Sequence, residues 1–158
     1  MKRIIIIFLL MTILISLGCV NQEESNTNIN SADNTLIIRK DIPYSKNVEK
    51  IEVFHFHGNN QCQGCINVGK CAESAVNEYF QDEQKSGLVM FDHINSDLPE
   101  NVDIVQQYGT IGSSLWIGVY LKDGSFSKEH NINVWYKTSD MKKCKEYIKG
   151  VIEKKLKG

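Results

Sequence analysis

Neither sign of charge dominates this chain. Its 158 residues carry 18 Lys and Arg against 19 Asp and Glu, a formal net charge of −1, and nothing in it forms the basic footprint that a nucleic acid requires. Nucleic-acid binding is excluded on that ground. Proline is scarce, and both residues, Pro43 and Pro99, read as boundaries: Pro43 breaks the chain before Asn47, and Pro99 suits the first turn of a helix. No internal repeat is present, which argues against stacked-repeat architectures. A disorder-type composition is absent too, since 42% hydrophobic and 23% charged residues are ordinary for a globular protein.

What is present begins with an export signal. Met1-Lys2-Arg3 precedes Ile4 to Leu17, fourteen residues of which only Thr12 and Ser16 are polar. Two positive charges, a short apolar run and a small residue make a secretory signal. With Lys2 and Arg3 set apart, 18 − 2 = 16 basic residues face 19 acidic ones, a charge of −3. Ser16-Leu17-Gly18-Cys19 resembles a bacterial-type lipobox, with Ser16 where Leu is usual. The resemblance implies a signal segment over residues 1–19, with Cys19 lipidated as the mature N-terminus. The alternative is an uncleaved anchor from Ile4 to Val20, at the low end of the ~17–25 residues that span a bilayer. Both readings hold the rest of the chain at the extracytoplasmic face of the cell membrane, in keeping with the positive flank. Residues 20–47 read as a flexible tether. Val20 to Asn34 holds five Asn, two Ser and three acids, too little apolar surface to offset the entropy of ordering. Leu36 to Arg39 suggests a stray edge strand.

The folded domain is expected over 48–158. Ile51 to His57 (IEVFHFH) is apolar or aromatic at almost every position, the pattern of a strand buried on both faces. From Cys65 onward Val68, Cys71, Ala72, Ala75, Val76, Tyr79 and Phe80 recur at helical spacing. That pattern predicts one helix ending near Lys85, with Gly87 as its stop. Leu88 to Ile94 is a second strand. Asp97 reads as a helix cap, with Glu100 completing a capping box, and the helix runs to about Tyr108. Leu115 to Leu121 is a third strand, Asp123-Gly124 a hairpin turn, and Ser125 to His130 its partner. A last helix starts at Ser139, with an apolar stripe of Met141, Cys144, Ile148, Val151, Ile152 and Leu156. The expected class is α/β, in the order β-α-β-α-β-β-α, with a central mixed sheet flanked by helices. This order resembles that of the thioredoxin fold.

Cys62-Gln63-Gly64-Cys65 lies in the loop between the first strand and the first helix. Two cysteines at this spacing can close a disulfide, and the helix amides and dipole stabilise a thiolate. Cys62 is then the nucleophile and Cys65 the resolving thiol, a chemistry that needs no cofactor. A static disulfide in an exported domain is the simpler alternative. Phe56-His57-Gly58 and Gly112-Ser113-Ser114-Leu115 resemble the ArsF family, named as a nitrophenyl-compound nitroreductase subunit. That resemblance implies a dedicated protein redox partner. The chain departs from ordinary thioredoxins in lacking the proline before the third strand. Ser114 stands in its place, and because a non-proline cis bond costs about 2.5–4 kcal/mol, a trans peptide is expected. A loop of Gly112, Ser113 and Ser114 is then expected to present hydroxyls beside the dithiol.

His55 and His57 share one strand face. His55 matches the position of the buried carboxylate that assists the resolving cysteine in thioredoxins, and an imidazole there can accept a proton near neutral pH; a packed core histidine is the plainer reading. His93 and His130 end strands and receive no role. Cys71 and Cys144 fall on apolar helix faces, which suits small buried residues. Because the first and last helices of this fold share a side of the sheet, the two cysteines can also pair as a structural bridge. A third reading joins Cys62, Cys65 and Cys71 with His57 as ligands for zinc, copper(I) or a trivalent arsenical. Cys71 lies off the facing direction on a straight helix, which weakens that set.

Overall fold

A computed structural model describes residues 44–158. The signal segment with Cys19, the tether through residue 43 and the apolar stretch Leu36 to Arg39 lie outside the described residues.

The unbroken apolar run after Val48 forms the central strand. β1 (Val48–His57) pairs in parallel with β2 (Val89–Asn95) and antiparallel with β3 (Ser114–Leu121), which pairs antiparallel with β4 (Phe126–His130). The sheet order is β2-β1-β3-β4. Alternation along β1 sends Ile51 and Val53 to one face and Phe54 and Phe56 to the other, and all four are buried. On the first face lie α1 (Gln63–Tyr79) and α4 (Met141–Lys157). Val68, Ala72, Ala75 and Val76 of α1 meet Ile148, Ile152 and Leu156 of α4 there, in the larger core. On the other face Phe54, Phe56 and Ile94 meet Tyr108 at the end of the short helix α3 (Val102–Tyr108). Each fully buried aliphatic or aromatic side chain contributes about 1.5–3 kcal/mol of transfer free energy.

Two expectations are corrected. The first helix does not run unbroken to Lys85: α1 stops at Tyr79, and a separate five-residue helix, α2 (Gln81–Lys85), follows. Phe80 makes the break, leaving helical geometry at φ −130° and ψ 34° while its ring enters the larger core. At the break the Val76 carbonyl accepts both the Phe80 amide (2.9 Å) and the Gln84 side chain (3.2 Å). Asp97 does not cap the next helix. Its carboxylate accepts the Asn59 amide (2.7 Å), and a 3-10 turn, Pro99–Asn101, leads into α3. A second 3-10 segment, Ile132–Lys137, follows β4 without a periodicity to announce it. The Asn131 side chain holds it by accepting from the Val134 amide (3.1 Å) and the Tyr147 hydroxyl (3.0 Å).

Residues 44–47 are tied to the folded body. The Ser45 amide donates to the Leu156 carbonyl (2.6 Å), the Lys122 amide donates to the Asn47 carbonyl (2.9 Å), and the Tyr44 hydroxyl donates to Glu83.

Candidate active site

The site assembles where β1 ends. Asn59 and Asn60 turn the chain, and Cys62 becomes the N-cap of α1 with extended backbone angles (φ −73°, ψ 161°). Its sulfur accepts the Cys65 amide at 3.0 Å, in the place where a capping Ser or Asp would offer oxygen. Cys62 and Cys65 form a disulfide, with Cα atoms 5.1 Å apart. Cys62 is exposed and Cys65 half-buried. No acidic residue occupies the first turn of α1, so the helix dipole acts on a Cys62 thiolate without a carboxylate from that turn opposing it. The geometry provides what a lowered thiol pKa needs: an amide donor, a helix N-terminus and access to solvent.

Three histidines cluster on β1 and β2, and one of them, His55, meets the Cys65 backbone. His55 is 1% exposed and sits opposite His93 in the parallel β1–β2 register. The two Nδ1 atoms are 3.0 Å apart. His57 lies next along β1, its ring 5.5 Å from that of His55 and 6.2 Å from that of His93, and its Nδ1 hydrogen bonds to the Gly58 carbonyl (2.9 Å). Burial, then the neighbouring His93 and His57, hold the His55 pKa down at about 4, opposed by a hydrogen bond to the Cys65 backbone. Burial thus favours the neutral ring of His55 at physiological pH. The pair also explains Gly69 in the middle of α1. A Cβ there would stand 2.5 Å from His55 Nδ1 and 2.8 Å from His93 Cε1, so no side chain fits while the imidazoles hold these positions.

The two serines before β3 part company. Ser114 is buried, and its hydroxyl meets the Thr110 hydroxyl (2.6 Å) and accepts from the Trp116 indole (3.1 Å). It pairs in register with Phe56 and shares the α3 side of the sheet, so it does not present its hydroxyl to the histidines. Ser113 does, with Oγ 3.5 Å from His55 Nε2. Trp135, in the second 3-10 segment, is a further neighbour of the dithiol: its ring and the Cys62 sulfur stand 3.5 and 3.7 Å from the point where a Gly64 Cβ would sit. Periodicity gave no signal for Ser113, His93 or Trp135.

Cys71 lies elsewhere. It is fully buried and bonded to Cys144, joining α1 to α4 across the larger core with Cα atoms 6.1 Å apart. The ligand set of Cys62, Cys65, Cys71 and His57 is thereby dismantled, because the third thiol is spent in a separate bond. Among the described residues no three His, Cys, Asp or Glu side chains converge as a metal site.

A four-stranded sheet ordered β2-β1-β3-β4, with β3 antiparallel to its neighbours and a CxxC pair where the first helix begins, decides the fold. The fold is thioredoxin-like. A solved structure of the Trx4 domain of ERdj5 is similar to this chain, with 18% identity and a TM-score of 0.43 over 69% of this chain and 87% of that one. No protein-family model matches the chain, and no curated protein matches it significantly. Within the thioredoxin-like domain, the reactive-looking disulfide and the buried one are thus held by the same helix, α1, at its start and at its middle.

Proposed function

We propose that this chain is a membrane-tethered, extracytoplasmic thiol–disulfide redox protein that passes electrons to a dedicated protein partner. The observation that carries the reading is the exposed Cys62 sulfur, capping α1 and bonded to Cys65. In the reduced protein the Cys62 thiolate attacks a partner disulfide. A Cys62–partner S–S bond forms, and the partner's other sulfur leaves as a thiolate. Cys65 then attacks the Cys62 sulfur, the Cys62–Cys65 bond closes, and the second partner thiolate departs. Two electrons have passed from the dithiol to the partner.

Cys65→Ser removes the resolving thiol and is expected to trap the partner on Cys62 as a mixed disulfide, seen as a reducible higher-mass species on non-reducing gels. Cys62→Ser is expected to trap none. Equal trapping by both variants would overturn the assignment of roles, and trapping by neither would favour a static disulfide.

The extracytoplasmic part of the reading is supported by the signal-like N-terminus and by the second, buried disulfide, a bond that persists in oxidising compartments. The lipid on Cys19 belongs to the proposal. Labelled fatty acid should enter the wild-type chain and be lost in Cys19→Ser; absence of label in the wild type would favour the plain anchor. The dedicated partner also belongs to the proposal, through the ArsF-like segments Phe56-His57-Gly58 and Gly112 to Leu115.

A further inference from the structure

The lysines of α4 divide into two sets. Seven lie on the helix against only Glu146 and Glu153, a charge of +5, in a chain whose residues 20–158 sum to −3. Lys145, Lys149 and Lys155 are half-buried, and each is neutralised by an acid: Glu78, Glu153 (3.6 Å) and Glu129 (2.6 Å) respectively. Lys142, Lys143, Lys154 and Lys157 are exposed. Among the described residues only Lys143 of these four meets a carboxylate, that of Asp140 at 3.3 Å.

At about 3.6 residues per turn, Lys143, Glu146, Gly150, Lys154 and Lys157 share an outer ridge, opposite the buried stripe that ends at Leu156. Lys142 flanks it. Two features of this ridge have no cause inside the fold. The helix dipole favours lysines in the last turn, which suits Lys154 and Lys157, but it opposes Lys142 and Lys143 in the first. Glycine is a poor helix former, yet a Cβ at Gly150, in mid-helix, would meet nothing within 4 Å. No neighbour in the chain needs that space. A surface pressed close to the helix backbone does.

We propose that the outer face of α4 rests on an anionic lipid surface, with Lys142, Lys143, Lys154 and Lys157 among the headgroups. The proposal rests on the membrane-tethered reading above and deepens it. The apolar side of α4 is spent in the core, so the contact is made by charge, without insertion of the helix. The point of entry of the chain indicates the occupant. The Ser45 amide donates to the Leu156 carbonyl (2.6 Å), so the chain arriving from the N-terminal signal joins the domain at the C-terminal end of α4. The 25 residues from 20 to 44 can span up to roughly 85 Å. Attachment therefore brings the domain to a membrane without choosing the face that meets it. Charge makes that choice, since each lysine held within a Debye length of an anionic surface strengthens binding about fivefold at low salt. The Cys71–Cys144 bond keeps α1 beside α4. Cys62, at the start of α1, then stays in the layer next to the lipid, within reach of a partner held on the same membrane.

The test uses the full chain, added to vesicles of phosphatidylcholine alone or of phosphatidylcholine mixed with phosphatidylglycerol. Flotation with both is expected from the N-terminal attachment. An uncharged amine reagent, read lysine by lysine by mass spectrometry, then reports the face in contact. Labelling of Lys142, Lys143, Lys154 and Lys157 should fall about fivefold or more on the mixed vesicles and return in high salt. Lys128, which bonds to the Gln107 carbonyl of α3 on the other side of the sheet, should label equally on both. Equal labelling of the four α4 lysines on the two vesicles would overturn the lipid contact and leave the attachment standing. Shielding of Lys128 as deep as theirs would overturn the choice of face. Shielding on native membranes but not on the mixed vesicles would assign the face to an acidic protein and overturn the proposal as well. Flotation with the mixed vesicles alone would keep the α4 contact and overturn the attachment; flotation with neither would overturn both.

Discussion

Replacing Cys71 and Cys144 together by alanine is expected to lower the stability of the folded domain by about 4 kcal/mol, while the dithiol chemistry at Cys62 and Cys65 continues. The bridge spans a sequence separation of 73. Closing a loop of that length removes chain entropy from the unfolded state, and the chain-entropy relation puts the stabilisation at about 4 kcal/mol. Against a typical domain stability of about 5–15 kcal/mol, this is a large share. Both cysteines are fully buried among Val68, Ala72 and Ile148, so the two lost sulfurs add a packing loss to the entropic one. Thermal unfolding should fall by roughly 15–30 °C. The measurement is the urea midpoint of the double variant beside wild type, with release of a coloured thiolate from an aromatic disulfide followed below the transition. A change under 1 kcal/mol would mean that the reduced α1–α4 pair packs as tightly as the bridged one. The two disulfides differ in exposure: a mild reductant is expected to open the Cys62–Cys65 bond, whose Cys62 residue is exposed, while the buried Cys71–Cys144 bond stays closed.

The bridge also shows how the legible and the illegible features divide. β1, β3 and α4 can be read from residue pattern because each buries a face against several neighbours, and burial leaves a run or a stripe in the sequence. The place of Cys62 and Cys65 can be read for the same reason, since a buried strand before the pair and an amphipathic helix after it fix the loop between. The end of α1 is different. Phe80 continues the apolar spacing of Val76 and Tyr79 whether the chain stays helical or turns, so periodicity cannot mark the break that sends its ring into the core.

Asp97 and Glu100 carry the spacing of a capping box. The competing donor for the Asp97 carboxylate, the Asn59 amide, comes from 38 residues away and is invisible to a local motif. The serine assignment turned on parity. Whether Ser113 or Ser114 faces His55 depends on the β1–β3 register, Phe56 with Ser114 and His55 with Leu115, and a shift of one residue would exchange the two faces. His93 was missed because its partner is set by the parallel register of two strands separated by a whole helix. Neither strand alone shows that two imidazoles will meet.

Gly118→Ala is expected to destabilise the domain by about 3 kcal/mol or more, although the substitution adds one methyl group to a strand. Gly118 pairs with Glu52 in the β1–β3 register. The missing side chain opens a slot through which Tyr108, at the end of α3, reaches Glu52 Oε2 with its hydroxyl at 2.8 Å. Tyr108 is fully buried and Glu52 is 5% exposed, with Lys50 Nζ 2.6 Å from its other oxygen. Burial and the Glu52 carboxylate push the Tyr108 pKa well above the ordinary phenol value, so the hydroxyl keeps its hydrogen and donates. A Cβ at 118 would overlap that hydroxyl and come within 3.0 Å of Tyr108 Cζ and 3.1 Å of Phe126 Cε2. The ring must withdraw. Overpacking of this kind costs about 1–3 kcal/mol, and a lost hydrogen bond to a charged group about 1.5–3 kcal/mol. The better strand tendency of alanine returns only about 0.5–1 kcal/mol. Tyr108→Phe separates the two causes, since it removes the hydroxyl from the slot and leaves Lys50 as the partner of Glu52. In the Gly118→Ala background it should recover stability, whereas in wild type it should lower it, so the two substitutions should be strongly coupled in urea unfolding. Additive effects would mean that the Tyr108 hydroxyl does not occupy the slot above Gly118.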